Sequence, residues 1–363
     1  MNFKQSRDRN RAVLLIGNFL SGSIGTRGVC EELAERLAGA GWRVLTTSTK
    51  PGRAARLADM LGTVWTRWRD YDIAHIDVYS AAAFFWAEAA AFALRRLGKP
   101  YVLTLHGGAL PEFAEQWPER TRRLLGSAAA VTAPSGFLLE EMRRYRSDLR
   151  LIPNAIEVAR YRFRLRDNPR PRLVWLRAFH DIYDPSLAVR AFASMRAQFP
   201  EATLDMVGPD KGDGSLARAQ ALAAELRVPV TFYGRVPKTE IPAWIDRGDI
   251  FLNTTTIDNT PVTVVEAMAC GACVVSTNVG GIPHLVDDWS DGLLVNPGAP
   301  HEMAGAIARI LSDGTLAARL SRSARMKAEG LDWSVVLPQW NALLGAAMND
   351  EPAAARLGLQ TTP

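Results

Sequence analysis

Asn253-Thr-Thr-Thr-Ile-Asp258-Asn-Thr-Pro261-Val-Thr-Val-Val-Glu266-Ala-Met-Ala-Cys270-Gly-Ala-Cys273-Val-Val-Ser276 carries the reading of the whole chain. An apolar run over Ile250–Asn253 reads as a buried strand. A polar loop follows, then a helix over Val262–Ala269 and a second strand over Cys273–Thr277. A strand, a helix and another strand in so short a span form a parallel βαβ unit. The proline just ahead of the helix suits a first helical turn, where its missing N–H leaves no bond unmade.

The same alternation runs outward in both directions. Strands are expected at Ala12–Ile16, Arg43–Ser48, Asp72–Ile76, Tyr101–Leu105, Ala129–Thr132 and Leu149–Ile152, with helices over Cys30–Ala40, Ala81–Leu97 and Phe137–Tyr145. A charged segment, Arg160 to Arg172, with Asn168-Pro169-Arg170-Pro171 at its centre, reads as a linker. The pattern then restarts with strands at Leu173–Leu176, Thr203–Val207 and Val230–Tyr233 and helices at Leu187–Phe199, Leu216–Leu226, Pro242–Asp246 and His301–Leu311. The chain of 363 residues is long for one core and comfortable for two. The expected architecture is α/β: two Rossmann-like doubly wound domains facing a central cleft, over 1–165 and 166–335. A helix over 336–350 is expected to pack back on the first domain, and 351–363 to form a tail. Ligands of such sheets sit beyond the carboxyl ends of the strands.

Two acids frame the turn at Pro261, Asp258 before it and Glu266 inside the helix. A carboxylate accepts from two O–H donors at once, which suits the vicinal hydroxyls of a ribose or a hexose. The first amides of the helix favour an anion such as a pyrophosphate.

This segment resembles the nucleotide-sugar signature of family 4 glycosyltransferases of the GT-B fold. That signature has an acid, seven residues and a Glu-Ala-Met-Ala-x-Gly sequence; here the parts are Asp258 and Glu266-Ala267-Met268-Ala269-Cys270-Gly271. Ser276 to Pro283, with Gly280-Gly281, resembles the family's glycine pair, and Asp291 to Val295 its next strand. His106-Gly107-Gly108 resembles its His-Gly motif, and Ile152 to Ile156 its Pro-Asn-Gly hinge. The resemblance covers residues 11 to about 345.

The resemblance implies a retaining transfer of a hexose-type sugar from a nucleoside-diphosphate sugar to a glycan or lipid-linked acceptor. Neither a metal nor another cofactor is implied, because the donor's own phosphate assists attack. It assigns catalysis to His106, Arg177, Asp258 and Glu266: Glu266 on the ribose, Asp258 on the sugar hydroxyls, Arg177 on the leaving diphosphate and His106 beside the transferred sugar. Gly22, Gly25, Lys211, Asn259, Thr260, Pro261 and Val262 join Arg177 and Glu266 as donor-binding candidates. Four positions depart from the family pattern. Asp258 replaces a Glu, Pro261 a Gly, Tyr183 the Lys that follows the phosphate-binding Arg, and Glu157 an Asp after the hinge. Lys211 is the candidate to replace that lysine. The alternatives are an inactive scaffold of the same fold and a nucleotide-sugar epimerase. A dehydrogenase is disfavoured, since no strand-GxGxxG-helix unit with a downstream acid is present.

Composition sets further bounds. Residues 1–166 hold 26 Lys and Arg against 16 Asp and Glu, and the remainder holds 17 against 22. The basic first half, with clusters at Arg120, Arg122, Arg123 and Arg143-Arg144-Tyr145-Arg146, suggests a peripheral contact with anionic lipid. Arginines spread over solvated helix faces are the plainer reading. No nucleic-acid motif accompanies the charge. Three cysteines imply no disulfide framework and fit a cytoplasmic location. Cys270-Gly-Ala-Cys273 reads as two small buried residues, without a second pair to make a metal site. The basic Lys4–Arg11 stretch ahead of Ala12–Ile16 reads as preceding a first strand, not as a secretory signal. Gly22, Gly25 and Gly28 read as turn glycines or a donor lining. His180 and Asp181 read as site residues or, with Asp184-Pro185, as a helix cap. Trp65, Trp68 and Trp86 read as packing residues.

Overall fold

A computed structural model describes residues 11–20 and 28–349 of the chain. Its strands are β1 Ala12–Ile16, β2 Arg43–Thr47, β3 Ile73–Val78, β4 Tyr101–Leu105, β5 Ala130–Ala133 and β6 Arg150–Leu151, then β7 Arg172–Leu176, β8 Thr203–Val207, β9 Val230–Tyr233, β10 Ile250–Asn253, β11 Cys273–Thr277 and β12 Leu293–Val295. They form two six-stranded sheets, ordered β2-β1-β3-β4-β5-β6 and β12-β11-β10-β7-β8-β9. All pairings are parallel. Each sheet belongs to its own compact unit. Among the described residues the first unit takes 11–134, 138–152 and 336–349, and the second takes 135–137 and 153–335.

The central strands are legible because helices cover both faces of a parallel sheet, so their residues are apolar without alternation. Ala12-Val-Leu-Leu-Ile16 is buried along its whole length. In the second sheet the two faces separate cleanly. Leu173, Trp175, Ile250, Leu252, Cys273 and Val275 enter one core, whose helical partners include Leu187, Phe192, Met303 and Ile307. Val174, Phe251 and Val274 enter the other, against Val264, Met268 and Ile245. Each such aliphatic or aromatic side chain contributes roughly 1.5–3 kcal/mol on burial. Two helix starts in the second unit carry side-chain caps. The Asp184 carboxylate accepts from Leu187 N–H at 3.0 Å ahead of the helix Pro185–Met195, and Asp313 does the same for Leu316 at 2.9 Å.

Three expectations are corrected. The first unit ends at 152, not 165, because Ile156, Val158 and Tyr161 pack into the second unit's core. The segment 160–172 is not a loose linker. The Arg166 side chain is fully buried, donating to the carbonyls of Cys270 at 2.6 Å and Gly248 at 3.1 Å and to Asp246 at 2.9 Å. Arg164 pairs with Asp246 and Asp249 beside it. Trp65 and Trp68 are exposed, so they are not core residues; Trp68 carries the Arg69 guanidinium 4.9 Å above its ring. The helices Arg53–Thr66, Leu110–Gln116, Pro118–Gly126 and Gly314–Glu329 were not marked by the alternation. The final helix spans Trp333–Asn349. In the first unit its Trp340 packs edge-on to His75 at 5.3 Å, and Asn341 accepts from Trp42 Nε1 at 2.9 Å. The 351–363 tail lies outside the described residues.

Arg166 is the test that segment 160–172 is packed and not a loose linker. Breaking a buried ion pair by removing one partner strands the other charge. Arg166→Met is therefore expected to lower the unfolding free energy by about 3 kcal/mol, read by urea denaturation. A loss near zero would restore the loose linker.

Candidate functional site

In the second sheet the chain leaves β7 toward β8 and β9 on one side, then returns beside β7 as β10 and continues to β11 and β12 on the other. The carboxyl ends of β7 and β10 are therefore neighbours whose loops diverge, which is the switch point where doubly wound sheets bind ligands. Arg177 follows β7 and Asp258 lies in the loop after β10. The Arg177 guanidinium is ion-paired to Asp258. Its Nη1 lies 3.4 Å from Thr263 Oγ1, and its Cζ sits 4.1 Å from the centre of the Tyr183 ring. Among the described residues its Nε–H is buried without an acceptor, a state that is costly unless an anion completes it.

The loops that carry these groups are tied down by hydroxyls and glycines. Thr254 Oγ1 accepts from Trp175 Nε1 at 2.8 Å and donates to the Tyr183 carbonyl at 2.6 Å. Thr255 Oγ1 and the Thr256 amide both donate to the Ile182 carbonyl, at 3.1 and 2.7 Å. Thr277 Oγ1 donates to the Thr255 carbonyl at 2.6 Å. Sequence reasoning missed these threonines; the signal was three hydroxyl residues in a row at a strand end. A Cβ on Gly281 would stand 1.8 Å from the Asn259 carbonyl oxygen, and one on Gly208 1.8 Å from that of Arg177. Both glycines are required by close backbone approach.

The helix after Asp258 starts at Val262; Pro261, with ψ of 111°, is its extended cap and not its first helical residue. The amides of Val262 and Thr263 fall in the first turn, where the helix itself offers no acceptor. Glu266 is 2% exposed, so it is not a solvated surface acid. Its Oε1 accepts from the Tyr161 hydroxyl at 2.7 Å. Asn259 is buried and Thr260 half-buried in the same loop, and the Asn259 amide donates to Asp258 Oδ1 at 2.8 Å. Lys211 joins the Arg177 loop by its backbone, its N–H donating to the Phe179 carbonyl at 3.1 Å, while its side chain is exposed. His180 Nδ1 accepts from Ile182 N–H at 3.2 Å, so with Asp184 this stretch is a capping structure.

His106 belongs to the first unit, at the end of β4. Its Nε2 lies 3.0 Å from Asp77 Oδ1, and its ring stacks on Tyr79 at 4.9 Å. Asp77 is a carboxylate inside the apolar strand β3, which the sequence reading passed over. His75 on the same strand is hydrogen-bonded to Thr104 Oγ1 at 2.7 Å. Burial works to raise the Asp77 carboxyl, but His106, His75 and the Cys30 thiol together hold the group below its usual range. Ile16, Gly17, Asn18, Asp77, Tyr79 and Trp86 line a pocket at the carboxyl ends of β1 and β3. Gly22 and Gly25 lie outside the described residues; Gly28 caps the helix Val29–Gly39, its N–H donating to Glu31 at 3.0 Å.

Cys270 and Cys273 enter opposite cores of the second sheet. Burial pushes both thiols up to about 12, so they are packing residues and inert as nucleophiles. The basic clusters are largely neutralised. Arg120 pairs with Glu88, Arg122 with Glu119, Arg144 with Glu115 and Arg146 with Asp148. No helix among the described residues is long and apolar enough to cross a membrane.

Two parallel six-stranded Rossmann-like units, the second with an arginine, an acid and a helix start at its switch point, define the GT-B class. The family described as glycosyl transferases group 1 matches residues 161–327, and glycosyltransferase family 4 matches 25–160. The chain belongs to the family 4 glycosyltransferases. It is 28% identical over 298 residues to the D-inositol 3-phosphate glycosyltransferase of Acidothermus cellulolyticus, covering 72% of this chain and 64% of that protein. Its likeness to the Streptomyces avermitilis protein of the same name is 26%, over 77% of this chain and 66% of that one. The chain thus spans about two-thirds of the length of these relatives. Among solved structures, Anabaena Alr3699/HepE in complex with UDP and glucose aligns with a TM-score of 0.75 at 19% identity, over 93% of this chain and 100% of that one. Sucrose-phosphate synthase of Thermosynechococcus elongatus aligns at 0.76 and 21% identity, over 92% and 98%. At these identities the structural likeness speaks for the fold.

The buried imidazole of His75 yields a pH prediction. Desolvation lowers it from 6.5 to about 4, against the raising effect of Asp77 and with a further lowering by His106. The unfolded chain then takes up a proton before the folded one does, so stability falls as pH drops from 6.5 toward about 4. His75→Gln is expected to flatten that part of a stability-against-pH curve, measured by denaturant midpoints. An unchanged slope would show that another group carries it.

Proposed function

We propose that this glycosyltransferase moves a hexose-type sugar from a nucleoside-diphosphate sugar to a glycan or lipid-linked acceptor, with retention of anomeric configuration. The observation that carries the reading is the Arg177 guanidinium, buried at the switch point with one N–H lacking an acceptor and a helix start beside it. A diphosphate supplies the missing acceptor. It also replaces Asp258 as the partner of the guanidinium, which frees that carboxylate for sugar hydroxyls. Glu266, fixed through one oxygen by Tyr161, takes the ribose diol.

In the transfer, the bond from the anomeric carbon to the leaving phosphate oxygen breaks as the acceptor oxygen bonds to the same face. The acceptor proton passes to a phosphate oxygen of the leaving group. Negative charge builds on the diphosphate, where a preoriented guanidinium and helix amides stabilise it at little reorganisation cost. We assign this role to Arg177 and the amides of Val262 and Thr263, with no metal in the reading. His106, oriented by Asp77, is assigned to the sugar side. The complexes of HepE with UDP and with UDP-glucose support a uridine donor. The names of the relatives place D-inositol 3-phosphate among the acceptors to test.

Calorimetric titration with UDP, GDP, ADP and dTDP is expected to give saturable binding of one nucleotide. Glu266→Ala and Arg177→Ala are each expected to lower turnover of the matching nucleotide sugar roughly 100-fold or more, and proton NMR of the product is expected to show the donor's anomeric configuration. Near-normal turnover in both variants would remove these residues from the site. Binding without turnover across the acceptors would favour a donor-binding scaffold, and an inverted product would reject the front-face route.

A further inference from the structure

We infer that Tyr183 is the positioning residue of the phosphate-binding guanidinium, orienting Arg177 through its ring face. The inference rests on the donor reading above and concerns how this chain meets the diphosphate.

The ring is held and the guanidinium is held against it. Tyr183 closes the short turn Asp181–Tyr183, its N–H donating to the His180 carbonyl at 2.9 Å and its own carbonyl accepting from Thr254 Oγ1 at 2.6 Å. The side chain packs on the second unit's core, and the His180 ring stands against it at 6.4 Å and 66°. Arg177 lies 4.1 Å above this ring, the shortest guanidinium-to-ring distance among the described residues. A cation over an aromatic face is attracted most strongly when water is excluded, and the Arg177 side chain is 13% exposed.

With one face on the ring, the guanidinium can bond only at its rim. Nη2 goes to Asp258 and Nη1 to Thr263, which leaves Nε and the second N–H of each Nη for an anion. A lysine at 183 would add charge at this place; a tyrosine adds none. Its contribution is to keep a single forked cation, which matches phosphate oxygens geometrically, in one orientation. The hydroxyl has no part in this, so phenylalanine should serve and an aliphatic residue should not.

The test is calorimetric titration of the full chain and of Tyr183→Phe and Tyr183→Leu with UDP and with uridine, or with the diphosphate and nucleoside of whichever base the wild type accepts. Tyr183→Phe is expected to bind the diphosphate within about 2-fold of wild type, and Tyr183→Leu about 10-fold more weakly, with nucleoside binding the same in all three. Equal diphosphate binding by Tyr183→Leu and Tyr183→Phe would overturn the role of the ring. A parallel loss of nucleoside binding in Tyr183→Leu would show that Tyr183 only supports the fold. A loss in Tyr183→Phe equal to that in Tyr183→Leu would transfer the role to the hydroxyl. A wild type that binds none of the four diphosphates overturns this inference and the donor reading together. Wild-type binding with equal variants overturns this inference alone and leaves the donor reading standing.

Discussion

The Arg177–Asp258 ion pair joins the two strands between which the second sheet reverses its order. Both side chains are largely shielded from water, and shielding a charge pair is favourable only when the geometry is good and further bonds satisfy what remains. Here those bonds are incomplete, because the guanidinium keeps an unused buried donor. The loops that carry the pair are, by contrast, thoroughly bonded. The Thr254–Thr256 hydroxyls and amides hold the turn at 181–183. The Gly281 amide donates to the Asp258 carbonyl at 3.0 Å. A rigid frame thus presents an unsatisfied cation, which is what preorganised anion binding requires.

Close backbone approach is the second constraint. Gly208 and Gly281 admit no Cβ, since the carbonyls of Arg177 and Asn259 occupy that space. The loop after β8 therefore meets the loop after β7 at Gly208, and the loop after β11 meets the loop after β10 at Gly281, carbonyl against Cα. That packing explains why short polar loops keep Asn259 buried instead of spreading into solvent.

The strands inside both sheets were legible because two-sided burial writes an apolar run; β1, β4, β8, β10 and β11 were read to the residue, as was the edge strand β9. The acid pair at 258 and 266 was legible through its spacing and its place between a strand and a helix. Other parts were not. The helices Arg53–Thr66 and Pro118–Gly126 each bury only two or three residues, so each offers few apolar positions to read. Arg166 sits in a stretch as charged and proline-rich as any linker. Only three-dimensional structure shows the carbonyls and carboxylates gathered around it. Asp77 was hidden by the apolar context of its own strand, because a single acid in such a run leaves no pattern. The tie between Tyr161 and Glu266 spans 105 positions, a separation at which sequence spacing carries no information.

Each unit holds a carboxylate against a basic partner near its switch point, and the two pairs are built differently. Asp77 is part of a strand, buried, and bonded to an imidazole whose ring is itself stacked on Tyr79. Asp77 cannot leave without opening the sheet. Asp258 stands in a loop, and its partner has an unused N–H. In the proposed reading a diphosphate would add an acceptor to the guanidinium and compete with the carboxylate for it, while a ligand near His106 would have no such exchange to make. The first pair is suited to hold one ring in one orientation; the second is suited to trade partners. The difference between strand-borne and loop-borne carboxylates is thus a difference between permanent positioning and a bond that yields to its ligand.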